Sequence, residues 1–223
     1  RPKQRPTCSA ARTDHWPVAG ASGQTLGYEV TGLDDEPDYA TPLTREEREG
    51  LIPSHLTLRS ELNELEEQNI LSASVWVFQR ARNPFRENFG RNLHKRMFDR
   101  VWRWAGAYRT SNKNIGIEYG MIHARLAETF ERVRYWAENQ TFPADEIAVR
   151  FHHELVAIHP FPNGNGRWSR LMADLLVVRL GQARFSWGRS ALGSIGQTRR
   201  AYIDALRAAD NHDIGPLLAF ARS

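Results

Sequence analysis

Apolar residues recur at helical spacing along most of the chain from about Ser60 onward. Leu62, Leu65, Ile70 and Trp76 mark a long helix over 61–77 with a polar outer face. Leu93, Met97, Val101 and Trp104 follow at spacings of four, four and three. They predict a second helical face, ended by Ala105 and Gly106. Ile122, Leu126, Phe130, Val133 and Trp136 make a third stripe, closed near Asn139 and Pro143. Ile147, Phe151, Leu155 and Ile158 make a fourth. A Pro- and Gly-rich break at 160–166 separates it from a helix over 167–180, with Leu171, Leu175 and Val178 facing inward. A last helix carries Tyr202, Leu206 and Ala209. The periodicity fails at 108–120, where Asn112, Asn114, Gly116 and Gly120 surround Ile115 and Ile117. That stretch reads as a loop or short hairpin. The expected fold is all-α, a helical bundle with one short β-hairpin.

The N-terminal part is less ordered in pattern. Residues 1–25 are rich in Pro, Ser, Thr, Ala and charge without periodicity, and are expected to form a disordered leader. Residues 26–90 form an extension in which Thr44 reads as an N-cap for Arg45 to Glu49, ended by Gly50. The compact domain is expected over 91–223. With 223 residues the chain suits one domain plus that extension. No apolar run of membrane-spanning length exists, and no apolar stretch follows the basic start to make a signal peptide. The single cysteine, Cys8, excludes an intramolecular disulfide framework and fits a reducing, cytoplasmic setting. Lys and Arg number 30 against 26 Asp and Glu. This modest excess suits a pocket for a phosphate-bearing small molecule as well as it suits nucleic acid. No recognition helix is evident, so direct nucleic-acid binding is not expected.

The chemistry concentrates in His159-Pro-Phe-Pro-Asn-Gly-Asn-Gly-Arg-Trp-Ser-Arg170, between two periodic helices. Gly164 and Gly166 allow a tight turn and close approach of backbone N–H groups to a ligand. Those groups and the start of the next helix make an anion site. Arg167 and Arg170, three apart, share one side of the first turn and suit a polyphosphate. His159 can exchange a proton near neutral pH. A glycine-rich connection with exposed arginines is the bland alternative, but the whole string is more specific than its Gly-Asn-Gly centre. It is not a P-loop, since it lacks the Lys and a preceding strand. His152, His153 and His159 do not have zinc-protease spacing, and His152 and His153 read as ordinary helix residues.

The string resembles the motif of the Fic domain family, His-Pro-Phe-x-(Asp/Glu)-Gly-Asn-Gly-Arg-x-x-Arg, with Asn163 where that family usually has an acid. The resemblance extends over roughly 51–223. Trp104 to Arg109 and 112–117 are similar to the family's target-docking flap, and 202–220 to its C-terminal helices. Within the family the chain resembles the mobile mystery protein B group. Members of that group look like toxins paired with a small helix-turn-helix protein, which makes such a protein a possible partner by analogy. The resemblance implies an adenylyltransferase using ATP and Mg²⁺ on a hydroxyl of a target protein. It implies that His159 is the general base and that Phe161 anchors the loop. Gly164, Asn165 and Gly166 would hold the α- and β-phosphates, Arg167 the β- and Arg170 the γ-phosphate. Ile115, Gly116 and Ile117 would align the target by strand addition. Asn163 would bind the metal weakly, through a neutral oxygen. Many relatives are held inactive by a glutamate that pairs with the last motif arginine. Glu61, four residues after Thr57, is the expected counterpart, with Glu64, four after Ser60, as runner-up. Two other outcomes are a Fic-fold phosphotransferase and a binding module without catalysis. Gly166 argues against the first, since phosphorylating relatives carry Lys there, and an intact His159 argues against the second.

Overall fold

The computed structural model describes residues 43–53, 55–80, 82–189 and 195–223. The expected leader at 1–25 lies outside them. Eight α-helices form among the described residues: α1 Arg45–Arg48, α2 Arg59–Phe78, α3 Glu87–Phe98, α4 Ile122–Asn139, α5 Ala144–Ile158, α6 Asn165–Arg179, α7 Ile195–Asp210 and α8 Gly215–Arg222. The fold is all-α. No strand is present among the described residues, only an isolated antiparallel bridge between Leu51 and Trp102.

α5 and α6 pack together at the centre. α4 and α8 lie against α5, α3 against α6, and α2 against α3, while α7 pairs with α8. α6 is apolar on nearly every side, with Leu171, Met172, Ala173, Leu175, Leu176 and Val177 all buried. A helix hydrophobic all round belongs inside a bundle. Asp174 is the exception in that run. Its carboxylate accepts from the Trp187 indole (2.9 Å), the Phe185 N–H (3.3 Å) and Arg184 (3.2 Å), which ties the 184–187 link to the core.

Two expected elements differ. α3 stops at Phe98 instead of running on to Trp104. The chain there turns to pair with the segment 47–52 instead. Ile52 N–H donates to Val101 O (2.8 Å), Arg103 N–H to Gly50 O (2.8 Å), and the Trp104 indole to Glu47 O (2.9 Å). Val101 and Trp102 are buried all the same, so the apolar signal was real but belonged to a turn. The second difference is the hairpin. Residues 108–118 form bends and irregular chain with no ladder, and a 3₁₀ turn follows at Tyr119–Met121. Arg109 N–H donates to Pro160 O (2.9 Å) and Ile117 N–H to Ile158 O (3.4 Å). The flap's backbone therefore pairs with the exit of α5 instead of with itself.

Candidate active site

α5 ends at His159, which takes a left-handed conformation (φ 54°, ψ 59°) and donates its N–H to Leu155 O (3.2 Å). Such a cap is usually glycine. A histidine there is a strained choice, of the kind that collects at functional sites. Pro160 follows and cannot continue the helix. The chain then turns through Phe161, which is wholly buried. Its ring stacks on His94 (3.6 Å between centroids) and meets Trp168 edge-on (4.9 Å).

The loop's shape is fixed from four sides. The Asn165 amide brackets Phe161, accepting from its N–H and donating to its carbonyl, both at 2.9 Å. His94 bridges two segments: Gly106 N–H donates to its Nδ1 (3.0 Å), which puts the ring proton on Nε2 for the Asn163 carbonyl (3.1 Å). Trp168 donates its indole N–H to Gly90 O (2.8 Å). Gly164 has φ 79°, and a Cβ there would lie 2.5 Å from the Phe98 ring. No other residue fits it. α6 begins at Asn165, two residues before its expected start, so Asn165, Gly166 and Arg167 form its first turn. Helix geometry leaves first-turn N–H groups without intrahelical acceptors, and the helix dipole adds positive potential.

The cations border that turn. Arg167 packs over the Phe98 ring (4.9 Å) and pairs through Nη1 with Glu66 Oε2 (2.5 Å). Arg170 donates Nε–H to Gly166 O (3.2 Å) and lies over the Tyr202 ring (5.4 Å). Tyr202 OH meets His152 Nε2 (3.0 Å) behind it. His159 is 6% exposed, and Gly116 of the flap covers it, since a Cβ on Gly116 would lie 2.6 Å from His159 Cβ. Burial, then the Arg109 and Lys113 charges, push the His159 imidazole down to about 4. It is neutral at pH 7 and can accept a proton. Ile115 is exposed beside it and Ile117 half-buried.

The donor set does not make a metal site by itself. Asn163 Oδ1 accepts the Gly164 N–H (2.6 Å), and no group of three or more His, Cys, Asp or Glu gathers among the described residues. No carboxylate lies within the loop itself.

The expected inhibitory contact is corrected. The Glu61 carboxylate accepts the N–H groups of Thr57 and Leu58 (3.4 Å each), capping its own helix, and Glu64 is exposed and bonded to Gln68. Neither meets Arg170. The glutamate that reaches the loop is Glu66, and it holds Arg167. Trp102 donates its indole N–H to the other carboxylate oxygen (2.6 Å). The signal was present in the sequence. Glu66 falls on the seam Leu62, Glu66, Asn69, Ala73, Val77, all buried. A carboxylate in such a seam needs a partner. His94 and Arg109 also went unsingled for a role, although both lie beside the motif in space.

These features define a class: a helical bundle built around a glycine-rich loop at a helix N-terminus, with two arginines beside it. Residues 84–177 match the model of the Fic/DOC family. The chain is similar to protein adenylyltransferase Fic of Drosophila melanogaster, 34% identical over 97 residues, which is 44% of this chain and 18% of that protein. The same-named protein of Aedes aegypti is 38% identical over 75 residues, 34% of this chain and 14% of that one. The chain thus spans under a fifth of the length of these relatives. Its fold is that of BepC from Bartonella tribocorum, solved with bound AMPPNP (TM-score 0.59, 16% identity, 80% of this chain and 97% of that one). The Fic domain of a Bartonella sp. AR 15-3 effector gives a TM-score of 0.61 at 17% identity, covering 80% of this chain and 91% of that one. No helix among the described residues is long and apolar enough to cross a membrane.

Proposed function

We propose that this protein is an adenylyltransferase that moves AMP from ATP to a hydroxyl side chain of a target protein. The observation that carries this reading is a buried, neutral His159 a few residues before a helix N-terminus flanked by Arg167 and Arg170. In the step, the target oxygen attacks the α-phosphorus and forms the new P–O bond. The bond between the α-phosphorus and its bridging oxygen breaks, and pyrophosphate leaves. The hydroxyl proton passes to the His159 imidazole. The first-turn N–H groups of α6 balance charge on the phosphates, with Arg167 and Arg170 beyond them. A bound polyphosphate also supplies negative charge beside His159, which raises its affinity for a proton from the low resting value toward working pH.

Mg²⁺ belongs to this reading as a charge carrier on the polyphosphate. Asn163 offers it one neutral oxygen, and phosphates and water supply the rest. Control belongs to it too: Glu66 occupies Arg167, so a polyphosphate competes with a carboxylate for that guanidinium. The reading extends to a cytoplasmic enzyme with a small helix-turn-helix partner, on the likeness of the string 162–167 to toxin-like relatives.

Mass spectrometry of the purified chain with ATP and MgCl₂ tests the reaction. A gain of one AMP, abolished in His159→Ala with unchanged thermal stability, is expected. A gain of one phosphate would make it a phosphotransferase. No gain, with ATP bound in calorimetry, would make it a binding module.

A further inference from the structure

Arg109 is 3% exposed, so it can touch neither a nucleotide nor a target side chain. All of its side-chain partners among the described residues are backbone carbonyls, and they come from two segments. Nε–H donates to His159 O (2.7 Å) and Nη2–H to Ile158 O (3.4 Å), the orphan carbonyl end of α5. Nη1–H donates to Ser111 O (2.8 Å) and Nη2–H also to Ile117 O, one on each limb of the flap. One planar guanidinium thus joins the flap to the residue that carries the base. Its neighbour on the flap, Gly116, passes within van der Waals contact of His159, and a Cβ there would lie 3.1 Å from Arg109 Nη2.

We propose that Arg109 is a positioning residue for transfer: it rivets both limbs of the 110–121 flap to the carbonyl end of α5 and so sets the gap between flap and His159. This rests on the transfer reading above. A buried cation is costly unless its donors are satisfied, and a fork of five N–H groups matches carbonyls in four directions. A lysine carries the same charge on three donors at one point and cannot span both limbs. The target hydroxyl has to enter the gap that this rivet fixes, and transfer is sensitive to displacement: a misplacement of about 1 Å costs roughly 10²-fold. The Arg109 side chain makes no hydrogen bond to the nucleotide cradle at 163–167, and its one backbone bond to the loop, N–H to Pro160 O, is kept in any substitution. The cradle is held by Asn165, His94 and Trp168, through contacts that Arg109 does not share. A second anchor, the ion pair of Lys113 with Glu47 of α1, ties the flap on another side, so loss of Arg109 loosens the flap without releasing the fold.

The test compares the full chain with Arg109→Lys and Arg109→Gln in three measurements: ADP affinity by calorimetry, the rate of ATP-dependent self-labelling, and hydrogen exchange of residues 110–121. The expected result for both variants is ADP affinity within about twofold of the parent, labelling down by roughly 10²-fold, and faster exchange in 110–121. Arg109→Gln loses the charge, so if it fails to fold, Arg109→Lys alone decides. Labelling at the parental rate overturns the proposal. So does a fall in ADP affinity that matches the fall in labelling, because Arg109 would then support the cradle. Unchanged exchange in 110–121 with a labelling-competent parent overturns the rivet alone. A parent that binds ADP and never labels refutes the transfer reading, and the role of Arg109 with it.

Discussion

Three histidines are folded into the interior as neutral rings, and lowering the pH should unfold the protein through them. Burial, with the Arg167 charge nearby, pushes His94 down to about 3. Burial and the Arg170 charge do the same to His152, and burial with Arg109 and Lys113 brings His159 to about 4. The ordinary value of 6.5 holds in the unfolded chain. Between 6.5 and the native values the unfolded chain binds protons that the native state refuses, so stability falls as pH falls through that window. Above pH 5 it hardly matters whether a native value is 3 or 4, because the native ring stays neutral either way. Each histidine then costs under about 1 kcal/mol from pH 7 to 6 and about 2 kcal/mol from pH 7 to 5. The three together cost about 6 kcal/mol by pH 5, comparable with the whole stability of a typical domain. Asp174 works the other way, since burial raises its carboxyl and the native state takes up its proton first, but it is one group against three. Urea unfolding followed by tryptophan fluorescence at pH 7, 6 and 5 measures the loss. His152→Gln should remove about a third of the pH slope. Equal stability at pH 7 and 5 would show that these rings charge without opening the fold, and the reasoning would fail.

Asn163→Asp should lower the Mg²⁺ concentration needed for half-maximal labelling, since a carboxylate adds a full charge to an oxygen ligand. An unchanged Mg²⁺ titration would mean that phosphates and water hold the ion unaided. Arg170→Ala should weaken ATP more than ADP, by about 1.5–3 kcal/mol in calorimetry, if it meets the γ-phosphate. Equal losses would place Arg170 elsewhere. Glu66→Gln removes the charge that competes for Arg167, so ADP should bind at least about tenfold tighter, while thermal stability drops because Trp102 and Arg167 both donate to that carboxylate. Weaker ADP binding would show that Glu66 orients Arg167 for phosphate.

Most of the bundle was legible because its helices bury one face each, and burial writes a 3.6-residue period into the sequence. The period says which residues are inside without saying what they touch. That is why 101–104 read as helix: Val101 and Trp102 are buried, but in a turn that donates to Phe98 O and Gly50 O and accepts from Ile52 N–H. The flap misled in the opposite sense. Ile115 and Ile117 around Gly116 have a strand's alternation, but a hairpin needs a ladder, and Arg109 has taken carbonyls from both limbs. Within the motif, spacing located His159, Gly164 and the two arginines, since local geometry is set by local sequence. Asn165 shows the limit even there. Its side chain does not face a ligand but brackets Phe161, so only its backbone N–H is left for a phosphate.

The contacts that cross between helices were the illegible part, and the glutamate shows why. Thr57 and Ser60 set a register in which Glu61 or Glu64 would face the loop. That register was read from cap spacing, which fixes where a helix starts and not which way it is rolled. Roll is decided by packing, and here Leu62, Ala73 and Val77 turn inward against α3. Rolling those three inward carries Glu66 and Asn69 in with them and leaves Glu61 and Glu64 in solvent. A buried carboxylate cannot stand alone, and α6 offers a guanidinium in the first turn and α3's exit an indole N–H. Both are used. The apolar period of α2 therefore contained the answer: the glutamate to follow was the one inside the hydrophobic seam, and the polar residue that interrupts a buried stripe is the one whose partner lies on another helix.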